Sequence, residues 1–364
     1  MPTAKPKVLH VIARYNIGGT ARYLNNLMPQ LSSEVDSLLA VGHVQGNEIE
    51  DSSLENINFV RIESLGRRIE LIDDFRAYLQ LRKVVKRFNP QIIHSHTFKA
   101  GVLCRLMFFK IPKVHTFHGH LMSDPEFSRR ALQVIINIER RLAKLTKRII
   151  TVGEQVTNDL LNVGVGKRSQ YISIASEGAK LSFLTRKEAR NLFNMDQEVP
   201  IVLWMARMAP VKNPSLALEV AKLLPDVNFL MAGGGDLFEE TKANAPSNVL
   251  LLGWVDAAEV IPVADVFLST SLNEGVPYSL IEVQSCGVPI VAVDSGAISE
   301  LITNGVSGIL TEPDPRSLAD EIQSLISNSE KAREISESAI ESNTASAAVQ
   351  KMAPAHLNLY QQII

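Results

Sequence analysis

Short, nearly unbroken apolar runs rich in Val and Ile recur along the chain, each followed by an amphipathic stretch. In the first half they are KVLHVIA, DSLLAVG, INFVRI, QIIHS, KVHTF, RIITV and YISIA, with helical patterns at 19–31, 69–88, 98–110, 127–146 and 154–162. In the second half they are PIVLWMA, VNFLMA, NVLLLG, DVFLST and PIVAV, with helical patterns near 215–224, 257–263, 277–286, 297–303, 315–327 and 331–342. A strand apolar on both faces needs cover on both faces, and parallel βαβ units supply it. The pattern runs twice, which predicts an α/β chain of two doubly wound parallel-sheet (Rossmann-like) domains. With 364 residues there is enough chain for two cores. Polar residues replace the sheet signal in GAKLSFLTRKEARNLF, which sets the boundary at 1–182 and 183–345. A terminal helix at 346–364, interrupted near Pro354, could pack back on the first domain.

Composition narrows the setting. Cys104 and Cys286 lie far apart in apolar contexts and read as buried thiols of a reducing, cytoplasmic compartment. No signal peptide precedes the first strand, and no apolar run reaches the ~18 residues that span a bilayer. The net charge of −2 hides an asymmetry: residues 1–185 hold 26 Lys and Arg against 16 Asp and Glu, while 186–364 hold 11 against 23. The first half suits an anionic partner such as a phospholipid surface or a pyrophosphate-linked lipid. Two ordinary solvated surfaces explain the charges equally well. Segment 127–148 joins seven basic residues to an apolar stripe, which fits an anionic membrane at the inner face or a helix packed on its own core. The basic residues are not interleaved with aromatics, which argues against nucleic acid.

Glycine and charge gather just after the strands, where open parallel sheets bind ligands. In NEGVPYSLIEVQSCG, Pro277 suits a first helical turn and Gly287 the position past its end. The free N–H groups around Gly275 and Val276 form an anion site. Glu274 and Glu282 flank it, as carboxylates for hydroxyls on either side of a diphosphate. In WMARMAPVKNP, Arg207 and Lys212 follow a strand and can neutralise a pyrophosphate. In IARYNIGGTARYL, Gly18 and Gly19 allow close backbone approach to a ligand, though the spacing is not that of a dinucleotide fingerprint. Gly233 to Gly235 form a second such turn.

Together these segments resemble the retaining family 4 glycosyltransferases of GT-B fold, in versions that build bacterial surface polysaccharides. NEGVPYSLIE matches the family's E-x7-E signature, ARMAPVKNP its Arg…Lys segment and IGGTARYL its Gly-Gly loop. The resemblance implies two domains facing across a cleft. Glu282 then binds the nucleotide ribose, Glu274 the transferred sugar, and Arg207 and Lys212 the diphosphate. Gly18 and Gly19 press from the opposite domain, backbone near Trp254 and Val255 meets the base, and His118 lies beside donor sugar and acceptor. The implied reaction is retaining transfer of a hexose or N-acetylhexosamine from a nucleotide diphosphate sugar, UDP-linked, to a glycan or polyprenyl-diphosphate-linked acceptor, with no cofactor. Departures are Ala206 before the arginine, Gly153 where serine is frequent, and Glu177 and Lys180 in IASEGAK.

KVHTFHGHLM crowds three histidines after His94 and His96. A metal needs ligands converging at about 2 Å. His94 and His96 share a strand face and could converge with His118, but no carboxylate or cysteine accompanies them, so no metal is expected. His118 is expected as a hydrogen-bonding group of the site, His96 and His120 as neighbours lining the acceptor cleft, and His115 inside its strand. Two rivals remain at this level: a nucleotide-sugar epimerase of similar fold, and a non-catalytic sugar-nucleotide sensor.

Overall fold

The structure, a computed structural model, describes residues 5–46, 48–119, 128–174, 181–349 and 352–364, the side chains of 344–349 apart. The chain forms two compact units. The first takes 1–122, 127–177 and the C-terminal 350–364; the second is chiefly 178–349.

The first unit holds strands β1 (Lys7–Ile12), β2 (Asp36–Val41), β3 (Phe59–Arg61), β4 (Ile92–His96), β5 (Lys113–Phe117), β6 (Arg148–Thr151) and β7 (Tyr171–Ser173). They form one sheet in the order β3-β2-β1-β4-β5-β6-β7, and every pairing is parallel. Helices α1 (Gly19–Leu31), α2 (Leu71–Phe88), α3 (Phe98–Arg105), α4 (Arg129–Ala143) and α5 (Glu154–Asn162) connect them. Side chains alternate between the sheet's faces. Leu9, Val11 and Ile93 pack with Ala77, Leu81 and Val85 of α2 and Ala100 and Cys104 of α3. Ile12, Leu39 and Val41 pack with Ala21, Leu24 and Met28 of α1. Each buried Leu, Ile, Val or Met among them contributes about 1.5–3 kcal/mol of hydrophobic stabilisation before entropy is counted.

The second unit holds α6 (Arg186–Leu192), β8 (Ile201–Met205), α7 (Pro214–Leu223), β9 (Asn228–Ala232), α8 (Phe238–Asn244), β10 (Val249–Gly253), α9 (Ala257–Val260), β11 (Val266–Ser269), α10 (Tyr278–Cys286), β12 (Ile290–Val293), β13 (Ile309–Thr311), α11 (Pro315–Ser327) and α12 (Ser329–Val349). Its sheet runs β10-β9-β8-β11-β12-β13, again parallel, with an apolar core on each face.

Several elements depart from expectation. α3 stops at Arg105 rather than 110, in tight turns where Met107 N–H donates to Cys104 O and Phe109 N–H to Met107 O. The helix expected at 297–303 is a single 3-10 turn, Ile298–Glu300. α6 falls in the polar boundary segment. Its start is a capping box, Thr185 with Glu188, legible as TRKE. α8 and β13 were too short for periodicity to reveal. The terminal helix α13 (Met352–Ile363) belongs to the first unit, with Pro354 in its first turn, where a missing N–H costs little. α4 turns Ile135, Leu142 and Ala143 inward, so the apolar stripe of 127–148 faces the core.

Candidate active site

A parallel sheet has a switch point where the strand order reverses, and the loops that leave its carboxyl edge there diverge to open a crevice. In the second unit that point lies between β8 and β11. The β8 loop carries Arg207 and Lys212; the β11 loop carries Glu274, Gly275 and Val276. Lys212 Nζ donates to Glu274 Oε1 in an ion pair whose two side chains are largely buried. The loops are tied by backbone: Leu272 N–H donates to Val211 O at 2.8 Å. Thr270 Oγ1 donates to the carbonyls of Lys212 and Asn213, both at 2.9 Å, and accepts from the buried Trp204 indole at 2.9 Å.

The β12 loop supports Glu274 from behind. Ala297 N–H donates to Glu274 O at 2.9 Å, and Ser295 Oγ to Ser271 O at 2.6 Å. Gly296 adopts φ +59, and a Cβ there would collide with the Glu274 backbone. Gly233, at φ +126, stands in the same way against Ala206, and Met208 N–H donates to Gly234 O at 2.8 Å. The glycine turn after β9 therefore holds the loop bearing Arg207. Trp254, a surface residue, lays its indole on Gly234, leaving no room for a Cβ there. Val255 packs at the margin of the core.

α10 begins at Tyr278, with Pro277 at its N-cap and no side-chain cap, and ends on Gly287 at φ +74. Glu282, in its second turn, is 1% exposed, and Glu274 is also buried. Neither carboxylate is a solvated surface group. Arg207, Lys212, Glu274, Gly275, Val276 and Glu282 thus share one end of one sheet and the start of one helix.

The first unit repeats the arrangement. Its switch point lies between β1 and β4. Gly18 is the N-cap of α1, extended, and Gly19 opens the helix with no acidic residue in its first turn. A Cβ at Gly18 would meet nothing nearer than Asn16 at 3.8 Å, so the helix end is sterically open. Gly153, one of the departures from the family pattern, caps α5 without a side-chain bond.

His10, His94, His96, His356 and the half-buried His118 form a polar assembly on the sheet face shared with α1 and α13. His10 lies opposite His94, and Ile12 opposite His96, across β1 and β4. His10 Nδ1 is 3.2 Å from His96 Nε2, and His96 Nδ1 is 3.0 Å from His118 Nε2. His94 Nδ1 meets the Tyr360 hydroxyl and His94 Nε2 the Thr116 hydroxyl, both at 2.7 Å. His356 Nδ1 donates to Met352 O at 2.8 Å, so its Nε2 accepts from the Tyr23 hydroxyl at 2.8 Å. Tyr23 meets the His118 ring edge to face. Burial holds these imidazoles neutral: His10 and His118 are pushed down to about 3, His356 to about 4, and His94 and His96 well below the usual value.

This corrects one expectation. His96 does not line a cleft; it is fully buried between two other rings. His115 lies inside β5 and meets Ser95 Oγ at 2.9 Å. His120, Glu177 and Lys180 lie outside the described residues. Among the described residues His10, His94 and His96 bring ring nitrogens within 4.8 Å of one another. Ligands of a common tetrahedral ion stand roughly 3.4 Å apart, and here both nitrogens of His94 and of His96 are already engaged. His10, Tyr23, His356 and Tyr360 had not been singled out. The period-two spacing of His94 and His96 signalled a shared face, but nothing in the sequence linked it to α13.

The chain matches two family models, "Glycosyltransferase Family 4" over residues 17–173 and "Glycosyl transferases group 1" over 185–342. It is 25% identical over 331 residues to the UDP-Gal:alpha-D-GlcNAc-diphosphoundecaprenol alpha-1,3-galactosyltransferase of Escherichia coli, covering 85% of this chain and 84% of that one. It is 29% identical over 282 residues to the N,N'-diacetylbacillosaminyl-diphospho-undecaprenol alpha-1,3-N-acetylgalactosaminyltransferase of Campylobacter jejuni, covering 71% and 73%. Sucrose-phosphate synthase from Thermosynechococcus elongatus superposes with a TM-score of 0.84 at 20% identity over 99% of both chains. HepE from Anabaena, solved with UDP and glucose, superposes with a TM-score of 0.82 at 18% identity over 98% of this chain and 99% of that one. Family membership selects transfer over the epimerase and sensor alternatives. With one family model on each sheet, the chain belongs to glycosyltransferase family 4 and is a glycosyltransferase of GT-B fold.

Proposed function

We propose that the enzyme transfers a hexose or N-acetylhexosamine from a UDP-sugar to a polyprenyl-diphosphate-linked acceptor, with retention, in cell-surface polysaccharide assembly. The observation that carries this is the largely buried Lys212–Glu274 pair beside the start of α10, with Glu282 buried one turn on. A cation and open helix N–H groups suit a diphosphate; two carboxylates suit sugar and ribose hydroxyls. In this reading Arg207 and Lys212 hold the diphosphate, Gly275 and Val276 offer it N–H groups, and Gly18 and Gly19 approach the ligand from their own helix end. Glu282 takes the ribose, Glu274 the transferred sugar, Trp254 and Val255 the base, and His118 the sugar beside the acceptor. The names of both relatives carry an α-linkage and a diphospholipid acceptor. An α product drawn from an α-linked nucleotide sugar keeps its anomeric configuration.

The C1–phosphate oxygen bond breaks as the acceptor oxygen bonds C1 on the same face, and the acceptor proton passes to the departing phosphate oxygen. The charged loops stabilise that leaving group, a role a divalent ion fills elsewhere, so a chelator leaves transfer intact. A thermal-shift screen of nucleotide sugars, followed by product analysis on polyprenyl-diphosphate acceptors, tests the reading. Stabilisation by UDP-sugars and an α-linked product support it; a β-linked product, or no UDP-sugar response, overturns it.

Peripheral membrane contact at the cytoplasmic face belongs to the same reading, but its surface moves. The outer face of α2 exposes Leu71 (84%), Ile72 and Phe75, and the same face continues into exposed Lys83 and Lys86. Such a helix suits an anionic bilayer surface. Flotation with anionic but not neutral vesicles, lost in Leu71→Ser/Phe75→Ser, is the expected result; equal flotation of that variant refutes it.

A further inference from the structure

Among the described residues the three rings His118, His96 and His10 form an unbranched line of two nitrogen–nitrogen contacts, 3.0 and 3.2 Å. Each contact holds one proton: two bare nitrogens would face lone pair to lone pair, and two N–H groups would clash. Three neutral rings carry three protons, so one remains for the ends of the line. It sits either on His118 Nδ1 or on His10 Nε2, and moving it reverses every ring between. The line therefore has two states. In one, His118 Nδ1 is a hydrogen-bond donor; in the other it is an acceptor.

The inner end differs from the outer. His10 is fully buried, and its Nε2 has no hydrogen-bond partner among the described residues. A buried N–H left without an acceptor is a rare fault in folded proteins, rarer than an acceptor left bare. We propose that His96 and His10 are positioning residues that lock His118 in its Nδ1–H tautomer, so that His118 serves as a hydrogen-bond donor and not as a base. His10 Nδ1–H then donates to His96 Nε2, and His96 Nδ1–H to His118 Nε2. Desolvation, complete at His10 and His96 and partial at the half-buried His118, favours the neutral rings and keeps the proton count at three. A neutral donor suits a sugar oxygen, and a base is not required where the leaving phosphate accepts the proton. The kinetic consequence rests on the reading of His118 as a sugar contact; the tautomer does not.

Long-range proton–nitrogen spectra of the full chain labelled with ¹⁵N-histidine distinguish bare from protonated ring nitrogens. The expected wild-type result is a protonated Nδ1 and bare Nε2 on His118, His96 and His10. A bare His118 Nδ1 in the wild-type spectrum overturns the proposal without any variant. His96→Leu removes the lock, and His118 should shift toward Nε2–H with kcat down about 10- to 100-fold. His96→Asn keeps an N–H donor toward His118 and should restore both the tautomer and most of kcat. A His118 tautomer unmoved in His96→Leu overturns the lock. A tautomer that moves with kcat unchanged supports the lock and instead removes His118 from the transfer step.

Discussion

Lowering the pH should dismantle the first unit while leaving the second folded. The seven described histidines belong to the first unit, and both tryptophans, Trp204 and Trp254, to the second. His10, His94, His96, His115 and His356 are each at most 1% exposed and held neutral by burial, with folded-state values far below 6.5. The unfolded chain binds protons on them near pH 6.5 and the folded chain does not, so unfolding takes up protons and stability falls as pH falls through that value. At pH 5.5 each ring costs about 1.4 kcal/mol relative to neutral pH, and five together cost about 7 kcal/mol if they titrate independently. That is of the same order as a typical domain's whole stability, about 5–15 kcal/mol. Urea titrations followed by far-ultraviolet circular dichroism and by tryptophan emission separate the units. A dichroism transition should move to lower urea between about pH 7 and 5.5, with no counterpart in tryptophan emission. A first-unit midpoint that does not shift over this range would show that the rings are charged in the folded state or accessible to solvent, and the reasoning fails.

Three further outcomes follow from named contacts. Arg105 and Glu139 form a fully buried bidentate pair at 2.7 Å. Glu139→Gln leaves the guanidinium without a counter-charge and should cost about 3–5 kcal/mol, read by thermal unfolding; a loss below about 1 kcal/mol contradicts it. Gly296→Ala forces a Cβ into the Glu274 backbone at a positive φ. UDP-sugar affinity by calorimetry should fall about tenfold or more, equivalent to about 1.4 kcal/mol, and unchanged affinity detaches that loop from donor binding. His118→Ala should abolish transfer while donor binding persists; unchanged turnover removes the residue from the reaction.

Both parallel sheets, β13 apart, and the loops bearing Arg207, Lys212 and Glu274 were legible because their signals are local. An apolar strand with a glycine or a charge just past its end says where the carboxyl edge lies, and Lys212 and Glu274 sit there although 62 residues separate them. The E-x7-E spacing placed Glu282 inside α10, and its burial follows from the apolar residues around it. What resisted reading is long-range. His94 meets Tyr360 across 266 positions and Tyr23 meets His356 across 333, and no periodicity connects such pairs. His96 looked like a cleft residue because it ends a strand, yet the terminal helix covers the face it points to. Short elements such as α8 escaped because one or two turns carry too few apolar positions to define a face.

The two units solve opposite electrostatic problems with the same topology. At the β8/β11 switch point the loops supply formal charge, a lysine against a glutamate at the start of a helix, as the proposed diphosphate site requires. At the β1/β4 switch point the sheet supplies rings that burial keeps uncharged and that satisfy one another. Formal charge there would carry a desolvation cost no neighbour offsets, since the groups facing His10, His94 and His96 are other histidines, tyrosines and a threonine. Neutral, directional hydrogen bonds discriminate among sugar hydroxyls by geometry, whereas charge binds any phosphate. Sugar selectivity in this enzyme should therefore respond to substitutions around His118 and Tyr23. Nucleotide affinity should respond to Arg207, Lys212 and Glu282. A Tyr23→Phe variant whose preference among UDP-hexoses is unaltered, but whose UDP affinity drops, would reverse that assignment.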